Sequence, residues 1–280
     1  MIEATIAKYV TPLAPLPTML SPQGRLTAKI KCILFDIYGT LFISGSGDIG
    51  GAKKKSYKYQ KVDELLAKFD INSTSSLLLA EFYRCVEKKH AQLRHQGVDF
   101  PEVAIDQIWM QILEKDDPEM VRQFALEFEL IVNPVYPMPH LNEILTACRE
   151  RQLLMGIVSN AQFYTLYLFE WFLNADCEHL GFNRDLILLS YQFGYAKPSF
   201  FLFHAAAERL KDKGINPHAV LFVGNDMLND IYPAKMAGYQ TALFAGDDRS
   251  LRLRMEDPRC QNLSADIVIT DLIQLIDHVA

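Results

Sequence analysis

Short apolar runs separated by stretches with helical periodicity constrain this chain more than any other feature. The runs fall at 33–35, 153–158, 186–189, 220–223, 241–244 and 267–269, and each is short enough for a strand buried on both faces. Helical segments lie between them at 141–151, 163–173 and 200–211, the last entered after Pro198 and left before Gly214. A final helix follows the last run. Strands alternating with helices predict a parallel, three-layer α/β sheet, that is, a Rossmann-like parallel-sheet core.

One interval breaks this rhythm. About a hundred residues separate Leu41 from Leu153, where a strand-to-helix connection takes only a few. Within it the apolar spacing is helical over 62–69, 76–94, 105–113 and 120–131. The excess therefore reads as an inserted α-helical cap domain at 42–139, with Pro137 and Pro139 as a return hinge. The core is assigned to 31–41 and 140–280, and residues 1–30 form an N-terminal extension, an arm on the core or a frayed end.

Composition limits the function. The chain has 280 residues, half of them hydrophobic, and a net charge of −6. That balance gives no general affinity for nucleic acid or for an anionic membrane surface, so a small anionic substrate is the expected partner. Five widely spaced cysteines without a Cys-x-x-Cys pair read as reduced thiols. The proline-interrupted prefix contains no signal peptide or membrane span, which makes the cytoplasm the default location. The aromatic stretch Phe163, Tyr164, Tyr167, Phe169, Trp171 and Phe172 is either core packing or a homodimer face. His90 and His95 are expected on the exposed side of a cap helix.

Four places carry residues suited to chemistry. Asp36 follows the first strand and precedes Tyr38-Gly39-Thr40, so its carboxylate emerges at a carboxyl end, where open α/β sheets hold ligands. Its bland alternative is a turn cap. Ser159-Asn160 ends the second strand and reads as an anion-binding hydroxyl or as a helix N-cap. Lys197-Pro198 supplies a point charge, or a solvated surface lysine. Gly224-Asn225-Asp226 ends a further strand with Asp230 four residues on, suiting a cation site or the start of a helix.

In this order on successive strand ends, the four motifs resemble those of the haloacid dehalogenase-like hydrolase superfamily with a helical cap. The resemblance implies that Asp36 is the nucleophile, oriented by Thr40, and that Lys197 and Ser159 neutralise the transferring group with Asn160 beside them. It further implies that Mg²⁺ is held by Asp36, by the main-chain carbonyl of Tyr38 and by Asp226, whose spacing to Asp230 favours it over Asn225. Asn225 and Asp230 would support these ligands from behind, Asp230 by holding Lys197 or a metal-bound water.

Tyr38 departs from the Asp-x-Asp-Gly-Thr pattern of the phosphatases, in which the second Asp protonates the leaving alcohol. Tyrosine, with a pKa of about 10, is a poor base near neutrality. The Asp-x-Tyr-Gly-Thr form is similar instead to the 2-haloacid dehalogenases, which attack carbon without a metal. Asp226 and Asp230 favour the Mg²⁺-dependent phosphatase. The alternatives are dehalogenase chemistry through Asp36, or a catalytically weak binding protein. A basic run over 53–61 is either a loop that closes on an anion or a solvated helix face.

Overall fold

The computed structural model describes residues 8–45 and 56–279. In chain order its elements are β1 (Gln23–Gly24), β2 (Cys32–Phe35), β3 (Phe42–Ser44), α1 (Ser56–Lys68), α2 (Ser75–His95), α3 (Ile105–Leu113), α4 (Pro118–Val132) and β4 (Val135–Pro137). There follow α5 (Leu141–Glu150), β5 (Leu154–Ser159), α6 (Tyr167–Leu173), β6 (Phe182–Leu189), α7 (Ser190–Phe193), α8 (Phe201–Asp212), β7 (Val220–Gly224), α9 (Tyr232–Met236), β8 (Gln240–Phe244) and β9 (Ile267–Ile269). The expected final helix is a 3₁₀ segment, Leu272–Asp277, and the helix expected at 163–173 begins as one, Phe163–Leu166.

The main sheet runs β1-β9-β8-β7-β2-β5-β6, and only β1 is antiparallel to its neighbour. Every residue of β2 is buried, which is why its sequence is apolar without alternation. Side chains still alternate between faces. Ile33 and Phe35 join a large cluster shared with α5 and the cap, while Cys32 and Leu34 pack against Leu202, Phe203 and Ala206 of α8. β2 is flanked by β5 on one side and β7 on the other, the strand-order reversal beside which doubly wound sheets place ligands.

Between β3 and β4 the chain leaves the sheet and forms α1 to α4. β3 and β4 pair antiparallel, Phe42 with Pro137 and Ser44 with Val135, so both connections to the cap pass through one short ribbon. Local chemistry starts the cap helices. Thr74 caps α2 by accepting from the Leu77 amide, and Asp117 caps α4 ahead of Pro118 in the first turn. The cap core is aromatic, with Trp109 4.6 Å from Phe82, 5.1 Å from Phe124 and 4.8 Å from Phe128 between ring centres.

Residues 8–24 form an arm that touches both parts. Tyr9 donates to Glu127 of α4 at 2.7 Å, Leu16 donates its amide to Asp247 at 3.0 Å, and Thr18 donates to the Ala245 carbonyl at 2.8 Å. Glu127 is fully buried and also receives Lys68 and Gln123. All five cysteines are buried free thiols. Among the described residues no helix is long and apolar enough to cross a membrane. The aromatic stretch packs within the chain, Phe169 lying 5.1 Å from Phe42 and 5.5 Å from Phe182. His95 is exposed, but His90 is not: it is half-buried and lines a cavity. The lysines at 53–55 lie outside the described residues.

Candidate active site

The loop after β2 positions Asp36. The Asp36 amide donates to the Val223 carbonyl at 2.9 Å, extending the ladder by one residue, and the chain then turns back through Gly39. Gly39 has φ +82°, and a Cβ there would meet Ser250 Cβ at 2.5 Å and Asn225 Nδ2 at 2.7 Å. Only glycine suits both the backbone and the space. The Leu41 and Phe42 amides close the turn on the Ile37 carbonyl.

Register brings the other strand ends alongside. Phe35 pairs with Val223 of β7 and with Ile157 of β5, so Asp36, Asn225 and Ser159 emerge within one crevice. Lys197 enters from the loop after α7. Its Nζ lies 2.7 Å from Asp36 Oδ1, 2.5 Å from Asp230 Oδ1 and 3.2 Å from the Val158 carbonyl. An ammonium has three donors, and all three are spent on the protein. Lys197 therefore acts first as the counter-ion that positions Asp36, and it reaches a substrate only by exchanging one of these bonds. Burial pulls its pKa down, but the two carboxylates more than offset this and the net shift is upward, keeping it charged. Asp230 is raised to about 7, chiefly by burial and despite Lys197, with Asp36 and Asp226 adding to the rise.

Several expected site residues have different work. Asn160 lines the cavity and binds the backbone of Lys197: Oδ1 accepts the Lys197 amide at 2.6 Å and Nδ2 donates to the Lys197 carbonyl at 3.1 Å. It is a clamp on the backbone that carries the lysine. Thr40 donates to Asn225 Oδ1 at 3.1 Å rather than to Asp36, and Asn225 in turn donates to the Ser250 carbonyl at 2.6 Å. Asn225 thereby ties the nucleophile loop to the segment after β8. Ser159 is fully buried, and its hydroxyl has no protein partner, the condition of a group that waits for a ligand or a water. The Tyr38 hydroxyl is 3.0 Å from Thr165 Oγ1, and burial pushes its pKa far up, so it stays a neutral phenol.

Asp226 is held from two sides. It caps the turn Met227–Ile231, accepting from the Leu228 and Asn229 amides at 2.9 and 3.2 Å. Both its oxygens are also taken by Arg254, with Nη2 2.7 Å from Oδ2. Arg254 was not singled out by its sequence, although Arg249, Arg252 and Arg254 crowd one segment. Behind this, Gly224 leaves room for Asp230, whose side chain a Cβ would meet at 2.5 Å.

The set is chemically suited to Mg²⁺, which takes oxygen ligands and needs one or two carboxylates. Among the described residues Asp36 Oδ2 has no hydrogen-bond partner and the Tyr38 carbonyl accepts no backbone hydrogen bond. Asp226 joins them only when Arg254 releases it. Among the described residues no group of three or more acidic, His or Cys side chains is placed to hold a metal by itself.

The same cavity reaches up into the cap, where Glu102 and Tyr164 line it. Glu102 accepts from the Ser190 hydroxyl and the Val103 amide, each at 2.8 Å, and burial raises its pKa. Tyr164 is hydrogen-bonded to Glu129 and is also raised, first by burial.

Over 253 residues the chain is 23% identical to a glyceraldehyde 3-phosphate phosphatase of Methanocaldococcus jannaschii, covering 89% of this chain and 97% of that protein. In fold it is similar to a HAD phosphatase from Thermococcus onnurineus, with a TM-score of 0.53 and 19% identity, covering 89% and 97% of the two chains. It is equally similar to a 2-haloacid dehalogenase from Pseudomonas syringae, with a TM-score of 0.53 and 19% identity, covering 89% and 98%. Residues 30–238 match the haloacid dehalogenase-like hydrolase family, more than half of the chain, and the protein belongs to that family of enzymes.

Proposed function

We propose that the protein is a phosphatase that transfers the phosphoryl group of a small phosphorylated compound to Asp36 and then to water. The observation that carries this reading is the state of Asp36. One oxygen is held by Lys197, the other has no hydrogen-bond partner among the described residues, and Asp36 lines the cavity, while Ser159 at the end of the neighbouring strand β5 carries a buried hydroxyl that is also unmatched. That is a carboxylate oriented for attack with an anion-binding group at hand.

In the first step Asp36 Oδ2 attacks phosphorus, the ester P–O bond breaks and the alcohol leaves with a proton drawn from solvent. Water then attacks the aspartyl-phosphate, giving inorganic phosphate and restoring the carboxylate. Ser159 donates to a phosphoryl oxygen. Lys197 holds Asp36 Oδ1 and aims the carboxylate. Asp36, the Tyr38 carbonyl and Asp226 would hold Mg²⁺, which when bound neutralises charge on the transferring group. The phosphatase relative supports this reading.

Tyr38 favours a second reading, dehalogenase-like attack on carbon, because a halide leaves without a proton. Asp226 weighs against it, because metal-free attack on carbon has no use for a second carboxylate lining the cavity with Asp36.

The test is phosphate release from an aryl phosphate and a metabolite panel, with Mg²⁺ or EDTA, using Asp36→Asn as the blank. Turnover that needs Asp36 and Mg²⁺ supports the proposal. Halide release from 2-haloacids without phosphate release overturns it.

A further inference from the structure

The cavity above Asp36 has a volume of about 830 Å³, far more than a phosphate group occupies. Its floor is the ionic cluster of Asp36, Lys197 and Asp226, whereas much of its wall inside the cap is apolar. Val62, Leu79, Phe82, Trp109, Ala125 and Phe128 all line it, from α1, α2, α3 and α4. Helices that close over a hydrophilic substrate would be expected to offer it hydroxyls, amides or charges.

Several polar groups on the cap side are committed to one another, while Tyr59, Ser76 and Glu87 also line the cavity. Glu102 accepts from Ser190 and Val103, Glu129 from Tyr164 and Asn133, and Ser44 donates to Asn133. Among the described residues the one buried cap side-chain atom without a partner is His90 Nε2. Each hydroxyl of a sugar or polyol phosphate that faces Val62, Leu79, Phe82, Trp109 or Phe128 loses its water without replacement.

Resting on the phosphatase reading, we infer that the substrate is an amphipathic phosphate monoester: its phosphate sits at Asp36 and its alkyl or aromatic body fills the cap cavity. Binding energy from the apolar body is then available to hold phosphorus in line with Asp36 Oδ2. Ala80, an exposed residue of α2 on the wall of the same cavity, marks a place where the body can be blocked without touching the ionic cluster.

The experiment is a homologous series, ethyl to octyl phosphate, with glycerol 3-phosphate set against propyl phosphate. The leaving-group chemistry is nearly constant along the alkyl series, so kcat/KM reads the body alone. The inference predicts a rise of about fourfold per methylene, the ~0.8 kcal/mol of a buried CH₂, until the cavity is full. Propyl phosphate is expected to exceed glycerol 3-phosphate by about tenfold or more. In Ala80→Phe the rise stops at a shorter chain. A flat series, or glycerol 3-phosphate matching propyl phosphate, overturns the inference and leaves the phosphatase reading standing. A separate measurement isolates the cavity: 1-naphthol is expected to quench Trp109 fluorescence in the wild type and to bind more weakly in Ala80→Phe. Naphthol binding with no phosphate released from any ester supports the apolar cavity and overturns the phosphatase reading; absence of naphthol binding overturns the inference.

Discussion

Arg254 holds Asp226 through both carboxylate oxygens, Nη2 lying 2.7 Å from Oδ2 and Nε 3.2 Å from each oxygen. A divalent cation that uses Asp226 must displace this guanidinium, so the two compete. Arg254→Ala is expected to tighten Mg²⁺ binding by about tenfold, the ~1.4 kcal/mol of one charge-assisted contact. Calorimetric titration of wild type and variant measures it directly. Equal affinities would show that Asp226 takes no part in holding the metal.

Lys197 stands between Asp36 and Asp230, with its ammonium almost fully buried. Removing it strands two buried carboxylates. Lys197→Met is expected to cost about 3–5 kcal/mol of stability, read from urea unfolding at neutral pH. Adding Asp230→Asn should recover part of that loss, because one of the stranded charges is then gone. A Lys197→Met protein as stable as the wild type would mean that Asp230 and Asp36 share a proton instead.

Tyr38 occupies the place of the acid that phosphatases of this family use. Tyr38→Asp is expected to raise phosphate release from alkyl esters by about a hundredfold, within the usual range for general acid catalysis. Tyr38→Phe removes the Thr165 hydrogen bond and should alter turnover only a few-fold. Stopped assays with both variants on the same ester separate proton donation from packing.

Glu102 gives a pH signature. Burial raises its pKa in the folded state, so the protonated form is the favoured one and its stabilising contribution is complete below the unfolded-state pKa. That contribution is lost as pH rises through the folded-state value. Glu102→Gln, which keeps the neutral shape, should therefore raise Tm relative to wild type at pH 7–8, and the gain should vanish near pH 4. A constant difference across this range would assign the effect to the Ser190 contact rather than to ionisation.

The sheet was readable because β2, β5, β7, β8 and β9 are buried and so must be apolar runs, and runs between helices leave few topologies. The cap was readable as helix because its apolar residues recur with helical spacing. Site residues were readable by type and strand end, but not by partner. Asn160 sits where a substrate ligand was expected, and its amide is spent on a backbone thirty-seven residues away. Asp226 was readable as a carboxylate in the crevice. Its guanidinium arrives from a segment whose position depends on β8 and β9 lying side by side, and no local pattern announces that. His90 shows the limit of periodicity: helical spacing separates faces, and it does not tell which face looks outward and which looks into a hollow.

The arm at residues 8–24 carries one more consequence. Tyr9 is fastened to the cap through Glu127, and only a little further along Leu16 and Thr18 are fastened to the core. The helices between β3 and β4 and the core sheet are therefore joined by a third length of chain besides the β3–β4 ribbon, and a cut between residues 10 and 15 would sever that link while leaving every strand and helix intact.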